Sequence, residues 1–138
     1  MFYYLKRMSI LDKIEIYREL MDLVSEMNYD VDAVIVEGPH DKKSLSLLGY
    51  VGSIFTCSSG SSLLELADSV ANRFTEIVIL TDFDKAGNTL FKTLTTLFSS
   101  RKVKVNNFYR RRFRKLLKTV NTSTIESIYR LKLEQFRN

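Results

Sequence analysis

At 138 residues, 45% hydrophobic and 27% charged, the chain has the size and balance of one soluble domain that can bury a core unaided. One cysteine excludes an internal disulfide and suits a reducing cytoplasm, no apolar stretch nears the ~18 residues of a membrane span, and MFYYLKRM is too short in its apolar part for a secretory signal. The net charge of +5 is uneven: residues 101–138 hold 12 Lys/Arg against Glu126 and Glu134, a net of +10, while residues 1–100 carry −5, so a polyanionic partner is expected at the basic end.

In chain order, Ser9 to Met27 is expected to be a helix, with Ile10, Ile14, Tyr17, Met21 and Val24 on its apolar face and Ser9 with Asp12 as a capping box. Ala33–Val36 is a short apolar run of the kind covered on both faces, and Glu37-Gly38-Pro39 ends it. Asp41 can cap a short helix carrying Leu45 and Leu48. A second strand is expected at Ser53–Thr56, then a loop over Cys57–Ser61. Ser62 and Glu65 open a helix with Leu63, Ala67, Val70 and Phe74 inward.

Ile77–Leu80 predicts the third strand, and residues 86–98 a helix with Leu90, Leu94 and Leu97 inward. Val103–Val105 is a weaker fourth strand. A basic stretch follows, and Ser123 to Glu126 opens a last helix with Ile125, Tyr129, Leu133 and Phe136 on one side. Strands alternating with helices argue for a mostly parallel sheet flanked by helices, an α/β fold with N- and C-terminal helices added. In such a sheet ligands sit beyond the carboxyl ends of the strands, where Glu37, Cys57 and Asp82 all fall. The apolar sides of the two terminal helices could pack on the sheet, form a homodimer or meet a protein partner.

The most informative stretch is EIVILTDFDKAGN at 76–88. Asp82 and Asp84 are i and i+2, so if the strand continues both carboxylates point the same way. Such a pair is costly unless a cation or proton neutralises it. Mg²⁺, with Mn²⁺ as substitute, is the expected occupant, because it takes one or two carboxylates and keeps waters for phosphates. Glu37, after the first strand, would join them on one rim. Two metal-holding aspartates and a glutamate managing a proton suit phosphodiester transfer. Taken singly, a carboxylate after a strand is more often a cap or a turn former.

The order strand, Glu-Gly, x-x-Asp, then strand, Asp-x-Asp-x-x-Gly, carried by AVIVEGPHD and EIVILTDFDKAG, resembles the Toprim family. TCSSGSSLLEL resembles the loop and helix between them. The family spans topoisomerases, bacterial primases, OLD-type nucleases and ribosomal-RNA-maturation nucleases, and the chain is most similar to small stand-alone archaeal members and the maturation nucleases. The resemblance implies a four-stranded, Rossmann-like core over residues 31–106 of a single domain, with 107–138 a basic helical extension. It implies that Glu37 is a general acid/base and sometimes a metal ligand, and that Asp82 and Asp84 bind metal. It also implies that Gly38 and Gly87 let backbone approach the site; Asp41 fits the first motif as a cap or in chemistry. Pro39-His40 departs from the small or basic residue that relatives often carry there.

Other motifs are weaker. GPHDKKS lacks the second glycine and the spacing of a phosphate loop. A haloacid-dehalogenase reading of Asp82-x-Asp84 needs a later acidic pair, and only Glu126 and Glu134 follow. Cys57 has neither a second cysteine nor a compelling histidine partner. Ser59, Gly60, Ser61 and Lys85 could contact phosphate near helix starts; alternatively the Ser/Gly segment is simply a flexible loop. In FYRRRFRKLLK at 108–118, Arg110, Arg111 and Arg112 could bind phosphates while the aromatics stack on bases; alternatively Phe113, Leu116 and Leu117 are buried and the arginines solvated. There is no room for a topoisomerase's tyrosine domain or a primase's template modules. Two readings therefore stand: a small Mg²⁺-dependent nuclease acting on RNA or DNA, and a non-catalytic subunit binding nucleic acid or ribonucleoprotein.

Overall fold

A computed structural model describes residues 10–121; the expected cap at Ser9 and the expected helix after Ser123 lie outside them. Helix α1 spans Ile10–Asp30 and leads into strand β1, Ala33–Val36. The chain continues through α2 (Pro39–Leu47), β2 (Ser53–Thr56), α3 (Leu63–Ala71), β3 (Glu76–Ile79), α4 (Lys85–Ser100), β4 (Lys104–Val105) and α5 (Asn107–Thr119). The four strands form one all-parallel sheet in the order β2-β1-β3-β4.

Alternation along the strands divides the core in two. Val34, Val36, Val78 and Leu80 face one side, against α1, α5 and Leu45 and Leu48. Ala33, Ile35, Ile77 and Ile79 face the other, against Leu66, Ala67 and Val70 of α3 and Leu94 and Phe98 of α4. Both central strands are apolar at every buried position because each is covered twice.

The cap of α3 follows the sequence, whereas α2 is N-capped by Gly38 with Asp41 three residues on. The Ser62 hydroxyl accepts the Glu65 N–H at 3.1 Å and starts α3. Helix α1 departs from expectation in its facing. Ile16, Tyr17, Leu20, Leu23, Val24 and Met27 are buried, whereas Met21 is 42% exposed. The sequence offers two neighbouring apolar stripes, and the sheet takes the one through Leu20, Leu23 and Met27, which also carries the helix on to Asp30. Among the described residues no helix is long and apolar enough to cross a membrane.

Candidate functional site

The strand order creates the site. From β1 the chain departs toward β2 on one side, and from β3 toward β4 on the other, so the carboxyl ends of β1 and β3 border a crevice where connections diverge. Val34 pairs with Val78 and Ile35 with Ile79, so the segments after both strands emerge level. Glu37 and Asp82 thereby meet. The Asp82 N–H donates to Glu37 Oε1 at 2.9 Å, joining residues 45 positions apart. The β2 end joins the same rim, because the N–H groups of Cys57 and Ser58 donate to the Val36 and Glu37 carbonyls.

Asp84 sits differently from its expected place. Strand β3 stops at Ile79, so the two-residue alternation that would align Asp82 with Asp84 does not reach them. Asp84 is instead the N-cap of α4, its Oδ1 accepting the Gly87 N–H at 2.7 Å. Among the described residues, no three His, Cys, Asp or Glu side chains are gathered closely enough to ligate one ion. The donor set is nonetheless suited to a hard cation, since Mg²⁺ takes one or two carboxylates and completes its shell with water and phosphate. Glu37 and Asp82 could contribute to an open site, with Asp84 two residues further on in the cap of α4; a closed three-ligand cage is not formed among the described residues.

The two glycines differ sharply. A Cβ on Gly87 would lie 2.0 Å from the Asp82 carbonyl oxygen, so the first turn of α4 can rest on the Asp82 backbone only with glycine there. Gly38 carries no such demand. Its backbone is extended, at φ −147°, and an added Cβ would meet Ser58 Oγ at an ordinary 3.7 Å. Gly38 is the N-cap of α2, and its N–H donates to Asp41 Oδ2 at 3.0 Å, which gives Asp41 a capping role. His40 is exposed on the same turn.

Cys57 is half-buried, and burial, then the charges of Glu37 and Asp41, push its thiol up to about 11. It is therefore a neutral thiol at physiological pH and a poor nucleophile. Ser59, Gly60, Ser61 and Lys85 are exposed, the first three in the loop leading from the rim to α3 and Lys85 as the first residue of α4.

Helix α5 contributes what sequence reasoning missed. Three consecutive arginines project about 100° apart and go to three environments. Arg111 is exposed toward α4. Arg112 lines a groove with Glu19, Asp22 and Glu26 of α1. Arg110, expected on the surface, is only 6% exposed. Its Nη1 donates to the carbonyls of Ile79 at 3.1 Å and Thr81 at 2.9 Å, and its Nη2 reaches Asn88 Oδ1 at 3.2 Å. The guanidinium carbon lies 4.6 Å from the Phe83 ring centroid and 4.3 Å from that of Phe91.

Burial, then the charge of Arg114, draws Arg110 down to about 10, while Glu37 and Asp82 oppose the shift, so it stays cationic at neutral pH. Thr81 and Asn88 complete the clamp: the Thr81 hydroxyl donates to the Gly87 carbonyl at 2.8 Å and the Asn88 amide to that of Phe83 at 3.3 Å. The loop bearing Asp82 is thus held from below by a buried cation. The available signal was periodicity, since Arg110 borders the stripe Tyr109, Phe113 and Leu117 that enters the core.

Comparison with known proteins agrees with this geometry. Residues 32–116 match the Toprim domain. A UPF0292 protein of Thermococcus sibiricus is 34% identical over 119 residues, covering 86% of this chain and 92% of that one. A UPF0292 protein of Methanocaldococcus jannaschii is 32% identical over 94 residues, covering 67% and 73%. A solved structure of a protein from Aquifex aeolicus superposes with a TM-score of 0.64 at 24% identity, over 80% of this chain and 95% of that one, a likeness of fold. With Glu37 after β1 and Asp82 after β3 at one crevice, the chain belongs to the Toprim domain family, whose domains generally bind divalent metals and are associated with nucleic acid.

Proposed function

We propose that the protein is a Mg²⁺-dependent nuclease acting on RNA or DNA, with its centre at the β1/β3 crevice. The observation that carries this reading is the bond from the Asp82 N–H to Glu37 Oε1, which ties the Glu37 carboxylate to the backbone of Asp82 where two strand ends meet at the ligand-binding edge of a parallel sheet. Glu37 and Asp82 would hold the metal, with Asp84 close by in the cap of α4. When bound, the ion would withdraw charge from a phosphodiester's non-bridging oxygens.

The chain's own residues supply the rest. Arg110 and Gly87 fix the loop that carries Asp82, so its carboxylate is presented without reorganisation. Glu37 can carry a proton to or from the attacking or leaving oxygen. Exposed Arg111 and Arg114 lie beside the crevice loop and attract the phosphate backbone.

The decisive variant is Asp82→Asn, which removes charge and keeps the backbone N–H that Glu37 accepts. Wild-type protein should cleave labelled RNA or DNA with Mg²⁺ or Mn²⁺, and the variant should lose about 100-fold or more of that activity. Equal cleavage by both proteins, or none by wild type on either polymer, would overturn the proposal. One observation favours the second reading, a binding subunit without turnover: Glu37 and Asp84 each already accept a backbone N–H. Metal-independent, salt-sensitive binding with no cleavage would point there.

A further inference from the structure

Beside the crevice lies a cavity of about 470 Å³ between α4 and α5 that the carboxylate site does not use. That volume is within the ~300–1,000 Å³ of small-molecule sites. Phe83, Asn88, Phe91 and Lys92 line it from the loop and α4, and Arg110, Arg111 and Arg114 from α5, with Asn107 at the start of that helix. Four of the lining residues are cations and none is a carboxylate. Lys92, Arg111 and Arg114 are exposed, whereas Phe83 and Phe91 are half-buried and braced by the Arg110 guanidinium.

This chemistry selects a ligand with a flat apolar part and an anionic part. Arg110 already covers one face of each ring, so the rest of the aromatic wall offers apolar contact to any base, and the exposed guanidinium groups offer paired donors to phosphate. A pocket of this size admits one base and excludes a stacked duplex. We propose that the cavity binds a single unpaired nucleotide, with its base against Phe83 and Phe91 and its phosphate on Lys92, Arg111 and Arg114.

Phe83 lies between Asp82 and Asp84 in sequence, so a strand seated there would pass its next phosphodiester toward the crevice. That last step deepens the proposed activity and rests on it, whereas occupancy of the cavity does not require metal.

The test uses the full chain in EDTA, with AMP, a short labelled single-stranded oligonucleotide and inorganic phosphate as probes, followed by titration and by NMR shifts at Phe83 and Phe91. AMP or the oligonucleotide should bind at least about tenfold tighter than inorganic phosphate. Tight AMP binding identifies a free nucleotide as the source, and oligonucleotide binding without AMP binding identifies a strand. Phe91→Leu, and separately the surface double variant Arg111→Gln/Arg114→Gln, should each weaken binding about tenfold or more. Asp82→Asn, which removes a negative charge that acts on Arg110, should not weaken it. The proposal is overturned if neither nucleotide probe outbinds phosphate, or if the double variant and Phe91→Leu both bind as wild type. Retained binding by an Asp82→Asn protein that no longer cleaves would separate cavity from crevice.

Discussion

The two ends of β3 carry similar residues put to different uses. At the amino end, Asp32 Oδ2 accepts the Thr75 N–H, the Thr75 hydroxyl and the Glu76 N–H, each at 3.1 Å, in an exposed setting. Its acid serves the chain's own turn, and backbone donors, Glu76 before Thr75, hold its carboxyl below the usual range. At the carboxyl end, Glu37 accepts the Asp82 N–H, and a buried arginine binds the backbone that leads from β3 to Asp82. One end closes a turn in water. The other holds negative charge rigidly beside a cleft, backed by a cation that solvent hardly reaches. The proposed metal and phosphate chemistry belongs to the second arrangement, because ligands of parallel sheets sit beyond the carboxyl ends of the strands.

Three perturbations would break or sharpen that contrast. The largest should come from Gly87→Ala, because the new methyl would strike the Asp82 carbonyl rather than a flexible side chain. Urea unfolding should show a loss of about 3 kcal/mol or more, with the crevice loop displaced. Next, Arg110→Met keeps an apolar stem between Phe83 and Phe91 but leaves the Ile79 and Thr81 carbonyls without their buried donor. Its expected cost is about 2–3 kcal/mol, against under ~0.5 kcal/mol for the exposed Arg111→Met, both by chemical denaturation.

The smallest effect concerns Asp32. Its carboxyl titrates lower in the fold than in the unfolded chain, so its stabilisation is full above the ordinary carboxylate pKa and fades as pH falls through the folded value. Asp32→Asn should therefore flatten the acid limb of the stability profile and leave the slope above neutrality alone. An unchanged acid limb would remove Asp32 from that account.

Much of the fold was legible because local signals agreed. The β1 and β3 runs, the Ser62 cap and the inward positions Ala67, Val70 and Leu94 each follow from period or capping chemistry alone. The meeting of Glu37 with Asp82 was legible through the rule that parallel strands end together. Asp84 was harder, since nothing in an apolar run announces where pairing stops, and Asp-x-x-Gly serves a cap as readily as a strand end. The facing of α1 was ambiguous because two apolar stripes lie side by side. The burial of Arg110 was least visible, because its partners are main-chain carbonyls of Ile79 and Thr81 that no side-chain pattern reveals.

The reach of Arg110 bears on where an excised fragment can end. A piece terminating at residue 106 would contain every strand among the described residues and all three motif acids, yet it would bare the sheet face that Tyr109, Phe113 and Leu117 cover and release the turn after β3. The shortest length able to fold by itself with an intact centre should therefore run through Leu117. Helix α5 and the acidic rim, opposite in charge, are a single mechanical unit.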